Sequence, residues 1–236
     1  MKVLAIELYK YKEWTESLGY DREWIIQSIQ HELAMRVNKV SAELGAFLLP
    51  LRYDFFTLLV DGLRESELRF IFKEMERVAP VPIRGCLGYG ESFAVAQRQA
   101  SLCLSNLLPG EIKVGEYKDE EVVSAHFDVD GFTSLTRVTS FYDAFLNVNK
   151  LYSSLSEKVY ELGGISQYLG GDNIIAFFGR KNVKDVIDLA HYIDNVKVGI
   201  GVGRNARLSM MNATEALERI RLSRNARWEM VPRYIT

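Results

Sequence analysis

The chain has 236 residues, 48% apolar and 25% charged, with 17 Gly and 5 Pro, so it can bury a sizeable core and is neither disordered nor fibrous. Twenty-nine basic against thirty-one acidic side chains leave a formal charge of −2, which excludes a net positive field for gathering nucleic acid or an anionic membrane. With Cys86 and Cys103 the only cysteines and His31, His126 and His191 the only histidines, a zinc site of the usual kind is excluded too. Glu7 interrupts the first apolar run and no stretch reaches membrane-span length, so the reading is cytoplasmic and reducing, and any metal should be a hard cation on carboxylates.

In chain order, apolar runs and helical spacing predict strands at 3–8, 47–53, 55–60 and 83–89, with helices at 24–43, 65–78 and 93–107. A Pro, Gly and acid-rich stretch from Leu107 to Glu121 then reads as a linker. Strands follow at 122–128, 165–169, 174–178 and 196–202, with helices at 141–162, 183–193 and about 208–221. The second set repeats the first. Glu7 matches Asp128 at an offset of 121, Asp54 matches Asp172 at 118, and Arg84-Gly-Cys-Leu-Gly88-Tyr-Gly90 matches Lys197-Val-Gly199-Ile-Gly201-Val-Gly203 at 113. Two domains, 1–112 and 119–236, are expected. Each is an α+β unit of ferredoxin-like βαββαβ order: an antiparallel sheet with its helices on one face and the other face open.

Along the strand ending His126-Phe127-Asp128-Val129-Asp130, side chains alternate, so His126, Asp128 and Asp130 share one face. In this fold the hairpin tip carrying Gly170-Gly171-Asp172 lies beside that strand end, which brings Asp128, Asp130 and Asp172 toward one Mg²⁺. Gly131-Phe132-Thr-Ser can turn backbone N–H groups toward an anion. His126 either moves a proton or holds a neighbour, and Arg204 is either a solvated cation or a phosphate contact. Gly201-Val-Gly203-Arg-Asn-Ala206 fits a loose dinucleotide-binding pattern, but no parallel strand and acid follow to support it. Asn147 and Asn149 are poor helix formers in mid-helix; each is a solvated amide or a contact to a purine edge.

Phe127-Asp128-Val-Asp130-Gly-Phe-Thr with Gly170-Gly171-Asp172 resembles the palm core of class III nucleotidyl cyclases and diguanylate cyclases. Over nearly the whole length the chain more closely resembles the archaeal GTP cyclohydrolase III family. The stretches that carry this are His126-Phe-Asp128-Val-Asp130, Ser140 to Lys150 with its Leu-Asn-Val-Asn-Lys run, Gly170-Gly-Asp172-Asn173, Gly199-Ile-Gly-Val-Gly203-Arg204 and, more thinly, Glu13-Trp14-Thr15 and Arg52-Tyr-Asp54. The resemblance implies tandem palm domains and Mg²⁺-dependent hydrolysis of GTP, with K⁺ as a monovalent addition. The product would be 2-amino-5-formylamino-6-(5-phosphoribosylamino)pyrimidin-4(3H)-one with inorganic phosphate, early on the route to riboflavin and the deazaflavin coenzyme. It implies a homo-oligomer, catalysis through His126, Asp128 and Asp172, and substrate contacts from Phe132, Asn147, Asn149, Arg204, Arg52 and Trp14. A cyclase or nucleotidyltransferase on the same palm, or an inactive nucleotide-binding module, is the alternative.

Overall fold

The computed structural model describes residues 1–223 and 226–232, and the chain falls into two compact units. Unit one comprises Met1–Glu91 with Val95–Asp119, and unit two Ser92–Ala94 with Glu120 onward. In the first half of the chain run β1 (Lys2–Leu8), α1 (Tyr11–Ser17), α2 (Glu23–Leu44), β2 (Phe47–Leu49), β3 (Phe55–Leu59), α3 (Glu65–Glu76), β4 (Ile83–Tyr89), α4 (Phe93–Leu104) and β5 (Ile112–Lys113). The second half runs β6 (Val122–Val129), α5 (Phe132–Val138), α6 (Phe141–Glu161), β7 (Ile165–Gly170), β8 (Asn173–Gly179), α7 (Val183–Tyr192), β9 (Val196–Gly203), α8 (Ala206–Ser223) and β10 (Trp228–Val231). The sheet orders are β2-β3-β1-β4-β5 and β7-β8-β6-β9-β10.

The repeat extends to individual hydrogen bonds. Glu7 pairs with Phe55 and Arg84 across its sheet as Asp128 pairs with Asn173 and Lys197 across the other. Leu8 N–H donates to the Asp54 carbonyl at 2.9 Å, and Val129 N–H to that of Asp172 at 3.0 Å. Tyr9 N–H reaches the Pro82 carbonyl at 2.8 Å as Asp130 N–H reaches that of Asn195 at 2.9 Å. All three offsets therefore hold in space.

Alternation along β6 sends Val123, Ala125 and Phe127 into a core with Val148, Leu155 and Val159 of α6 and Val186 and Leu189 of α7. Ala144, Val148, Leu155 and Val159 recur at helical spacing, and Ser140 starts α6 by accepting from the Asp143 N–H at 3.1 Å. Fully burying a ring such as Phe127 or Phe178 contributes roughly 1.5–3 kcal/mol, so this face anchors the unit.

The opposite face, expected to be open, is covered. A Cβ on Gly201 would stand 1.9 Å from the Ser209 carbonyl oxygen and one on Gly199 2.0 Å from that of Ala213, so the β9 glycines let α8 lie directly on the strand. In unit one Gly88 meets Ala96 of α4 in the same way, at 2.0 Å. A fifth strand joins each sheet in parallel, β5 beside β4 and β10 beside β9, so only the four-strand cores are antiparallel. β5 also occupies part of the stretch read as a linker.

Cys86 of β4 and Cys103 of α4 form a disulfide. This corrects the expectation of two reduced thiols: residues 17 apart are brought together because α4 folds back onto its own strand. Among the described residues no helix is long and apolar enough to cross a membrane.

Candidate active site

At the end of β6, the Val129 to Asp172 backbone bond sets the β7–β8 hairpin tip against the strand carrying His126 and Asp128. Gly170 and Gly171 make that tip with φ of 100° and 61°, a left-handed path that a side chain would strain. Asp128 is buried at 7% exposure. Arg221 of α8 donates to its Oδ2 through Nη2 at 3.1 Å and Nε at 3.3 Å. Burial, helped by the negative charge of Asp172 and opposed by Arg221, raises the pKa of Asp128.

Behind the tip runs a chain of hydrogen bonds. Asn173 Nδ2 donates to Asp172 Oδ1 at 2.7 Å, which turns Asn173 Oδ1 toward His126 Nε2 at 2.9 Å. His126 must therefore carry its proton on Nε2, and among the described residues its buried Nδ1 has no partner. Burial lowers its pKa, against the raising influence of Asn173 and Asp128, so at neutral pH the ring is uncharged. Of the two readings of His126, the structure shows the bond to a neighbour, Asn173.

Three carboxylates do not converge. Asp130 is exposed and ion-paired with Lys197, and among the described residues no group of three His, Cys, Asp or Glu could hold a metal ion. Asp128 and Asp172 remain as a pair. Two hard carboxylates are a donor set that suits Mg²⁺.

Several expected contacts lie elsewhere. Arg204 follows Gly203, which pairs with Val122 at the far end of β6, so within its own unit it stands roughly 20 Å from Asp128. Phe132 packs against the unit-two core. Asn147 and Asn149 are about 200° apart around α6, and each donates its amide to the carbonyl four residues back, Asp143 at 2.9 Å and Phe145 at 3.2 Å. One base edge cannot meet both. In unit one, Arg52 grips Asp54 through Nε at 2.9 Å and Nη2 at 2.5 Å, and Trp14 sits on α1 with its ring 5.3 Å from that of Tyr11. Asn205 caps α8 by accepting from the Leu208 N–H at 2.8 Å. Arg221 and Asn173 were missed; the sequence signal for Asn173 is its adjacency to Asp172, and Arg221 had none.

The GTP cyclohydrolase III family model matches residues 1–231. This chain belongs to the GTP cyclohydrolase III family. It is 44% identical over 230 residues to the GTP cyclohydrolase III of Saccharolobus solfataricus, covering 98% of this chain and 99% of the relative. It is also 44% identical over 231 residues to that of Sulfurisphaera tokodaii, covering 98% of each. Among solved structures it is similar to a class III adenylyl cyclase-like ATP-binding protein from Pseudomonas aeruginosa, with 9% identity, a TM-score of 0.37, and coverage of 92% of this chain and 81% of that one. GTP cyclohydrolase III membership thus spans both units, including the first, where motif agreement was thin.

Proposed function

We propose that this chain hydrolyses GTP to 2-amino-5-formylamino-6-(5-phosphoribosylamino)pyrimidin-4(3H)-one and inorganic phosphate, with Mg²⁺ and with K⁺ as a monovalent addition, in the cytoplasm and as a homo-oligomer. Near-full-length similarity to proteins named for this activity carries the reading. The step would stand early on the route to riboflavin and the deazaflavin coenzyme. One water adds to C8, the C8–N9 bond breaks with a proton to N9, and the formyl group stays on N7. Two further waters release the β- and γ-phosphates.

Asp128 and Asp172 are the residues that would hold Mg²⁺, which when bound neutralises the triphosphate and polarises phosphorus. Asn173 fixes the direction in which Asp172 presents its oxygens. Arg221, already within reach of Asp128, supplies positive charge to a phosphate oxygen. With Asn173 holding Nε2, His126 would take a proton from attacking water through Nδ1.

Purified protein incubated with GTP and Mg²⁺ tests this. Ring opening abolishes the guanine absorbance and releases phosphate without formate, whereas cyclisation keeps the purine spectrum. GTP recovered unchanged across Mg²⁺ and K⁺ conditions would overturn the reading.

A further inference from the structure

β10 is a four-residue strand paired on one side, so its ladder alone contributes few hydrogen bonds. It starts level with the strand acids: Trp228 lies opposite Val198 of β9, whose neighbour Lys197 lies opposite Asp128. Side chains tie that start down on both faces of the sheet. Trp228 packs against the core that α7 helps to build, and its Nε1–H donates to His191 Nε2 in the last turn of α7 at 3.0 Å, the two rings edge-on at 79°. Glu229 alternates to the α8 face and accepts from Arg219 Nη1 at 3.4 Å. Arg227 adds an ion pair with Asp194 at 3.1 Å, beside the Asn195 carbonyl that takes the Asp130 N–H. β10 therefore braces the end of α7 against the end of α8.

Arg221 stands two residues beyond Arg219 and reaches Asp128 Oδ2. Its Nη1 also pairs with Glu218 of the same helix at 2.6 Å, so the direction in which it meets Asp128 depends on where the end of α8 is held. In unit one the strand acid Glu7 is gripped by Arg84 of its own sheet, and Leu108 and Ile112 stand at the positions of Arg221 and Trp228. The helix arginine and the aromatic brace thus occur in the same unit. We propose that His191 and Trp228 are positioning residues for Arg221. The imidazole fixes the indole, β10 carries that placement to Glu229 and Arg219, and Arg221 is thereby aimed at Asp128 and at the phosphate oxygen it would meet. The inference rests on the reading above, in which Arg221 supplies charge to a phosphate.

Nitrogen NMR of the Trp228 indole N–H and the Arg221 Nε–H, assigned by their loss in Trp228→Phe and Arg221→Ala, tests this beside steady-state kinetics with GTP and Mg²⁺. His191→Phe keeps a ring at an exposed position and removes the acceptor. Both resonances should move, and KM for GTP should rise about fivefold with kcat within about twofold, because a charge-assisted contact is misaligned rather than deleted. His191→Gln restores an acceptor and should return all three toward wild type. In an Arg221→Ala background His191→Phe should change KM no further. An Arg221 resonance unmoved by His191→Phe overturns the inference whether or not the protein turns over GTP. So does a wild-type KM in His191→Phe, or an equal KM rise in the Arg221→Ala background. Wild-type protein that leaves GTP unchanged, while His191→Phe moves the Arg221 resonance, sinks the proposed reaction and leaves the positioning intact.

Discussion

The two units place acids at equivalent positions and treat them differently. In unit one Glu7 is locked to Arg84 at 2.6 Å with both side chains about 85% buried, and Asp54 is held by both donor arms of Arg52. Arg52 and Tyr53 stand where unit two has Gly170 and Gly171, and Lys10 takes the left-handed conformation, φ 56°, that Gly131 takes in unit two at 71°. The repeated end of unit one is therefore closed on itself by arginines. In unit two the ion pair on Asp128 comes from the half-exposed Arg221, and Asp172 faces an amide. The same backbone can thus present carboxylates or consume them, and which it does depends on two or three side chains.

The sharpest way to break this contrast is to remove one acid from each unit. Asp172→Ala should cost about 1000-fold in turnover, roughly 4 kcal/mol of transition-state stabilisation, and Asp54→Ala less than about threefold. Steady-state phosphate release checks both. Equal losses would mean that the two ends work alike.

A second difference is covalent. Cys86 and Cys103 tie strand to helix in unit one, where the repeat puts Gly199 and Ala216 in unit two. Removing a crosslink that closes a loop of this size costs about 3 kcal/mol. Chemical denaturation of Cys86→Ala should show that loss, with turnover at the unit-two acids preserved under folding conditions.

A smaller activity effect is expected at Asn173. It touches Asp172 and His126 and orients both, and groups of that kind typically contribute 10- to 100-fold. Asn173→Ala should lower kcat within that range and raise the Mg²⁺ concentration for half-activity. A change in kcat with no shift in Mg²⁺ requirement would detach Asn173 from Asp172.

How much of this was readable beforehand follows from which interactions announce themselves locally. The strand acids, the hairpin tip and the long amphipathic helices carry periodic or turn signals, and the offsets located them within a residue or two. The seven-residue α1 and α5 bury nothing, and the edge strands β5 and β10 are two and four residues long, so neither leaves a pattern. Gly199, Gly201 and Gly203 let a helix lie on the strand, but nothing local in the sequence says that a helix is the neighbour. Arg204 misled because a strand end adjacent in sequence to glycines is, by antiparallel pairing, the end remote from Asp128. Arg221 lies 93 residues from Asp128, a separation no local pattern bridges.

The smallest expected effect concerns a buried acid that unit two lacks, since Gly179 stands where unit one has Asp61. Asp61 is fully buried, accepts from the Lys2 N–H at 2.9 Å through Oδ2, and leaves Oδ1 without a partner among the described residues. Burial raises its pKa to about 6, against the lowering influence of Lys2. The folded unit therefore holds this proton more tightly than the unfolded chain, so the stabilisation is complete below about pH 4 and is lost as pH rises through about 6. Asp61→Asn keeps an oxygen for Lys2 and stays neutral throughout. Its stability relative to wild type should rise between pH 4 and pH 7, by about 1 kcal/mol once relaxation and the Lys2–Asp119 ion pair are allowed for. Parallel thermal-unfolding curves across that range would show the divergence; a constant offset would mean that Asp61 is ionised in both states.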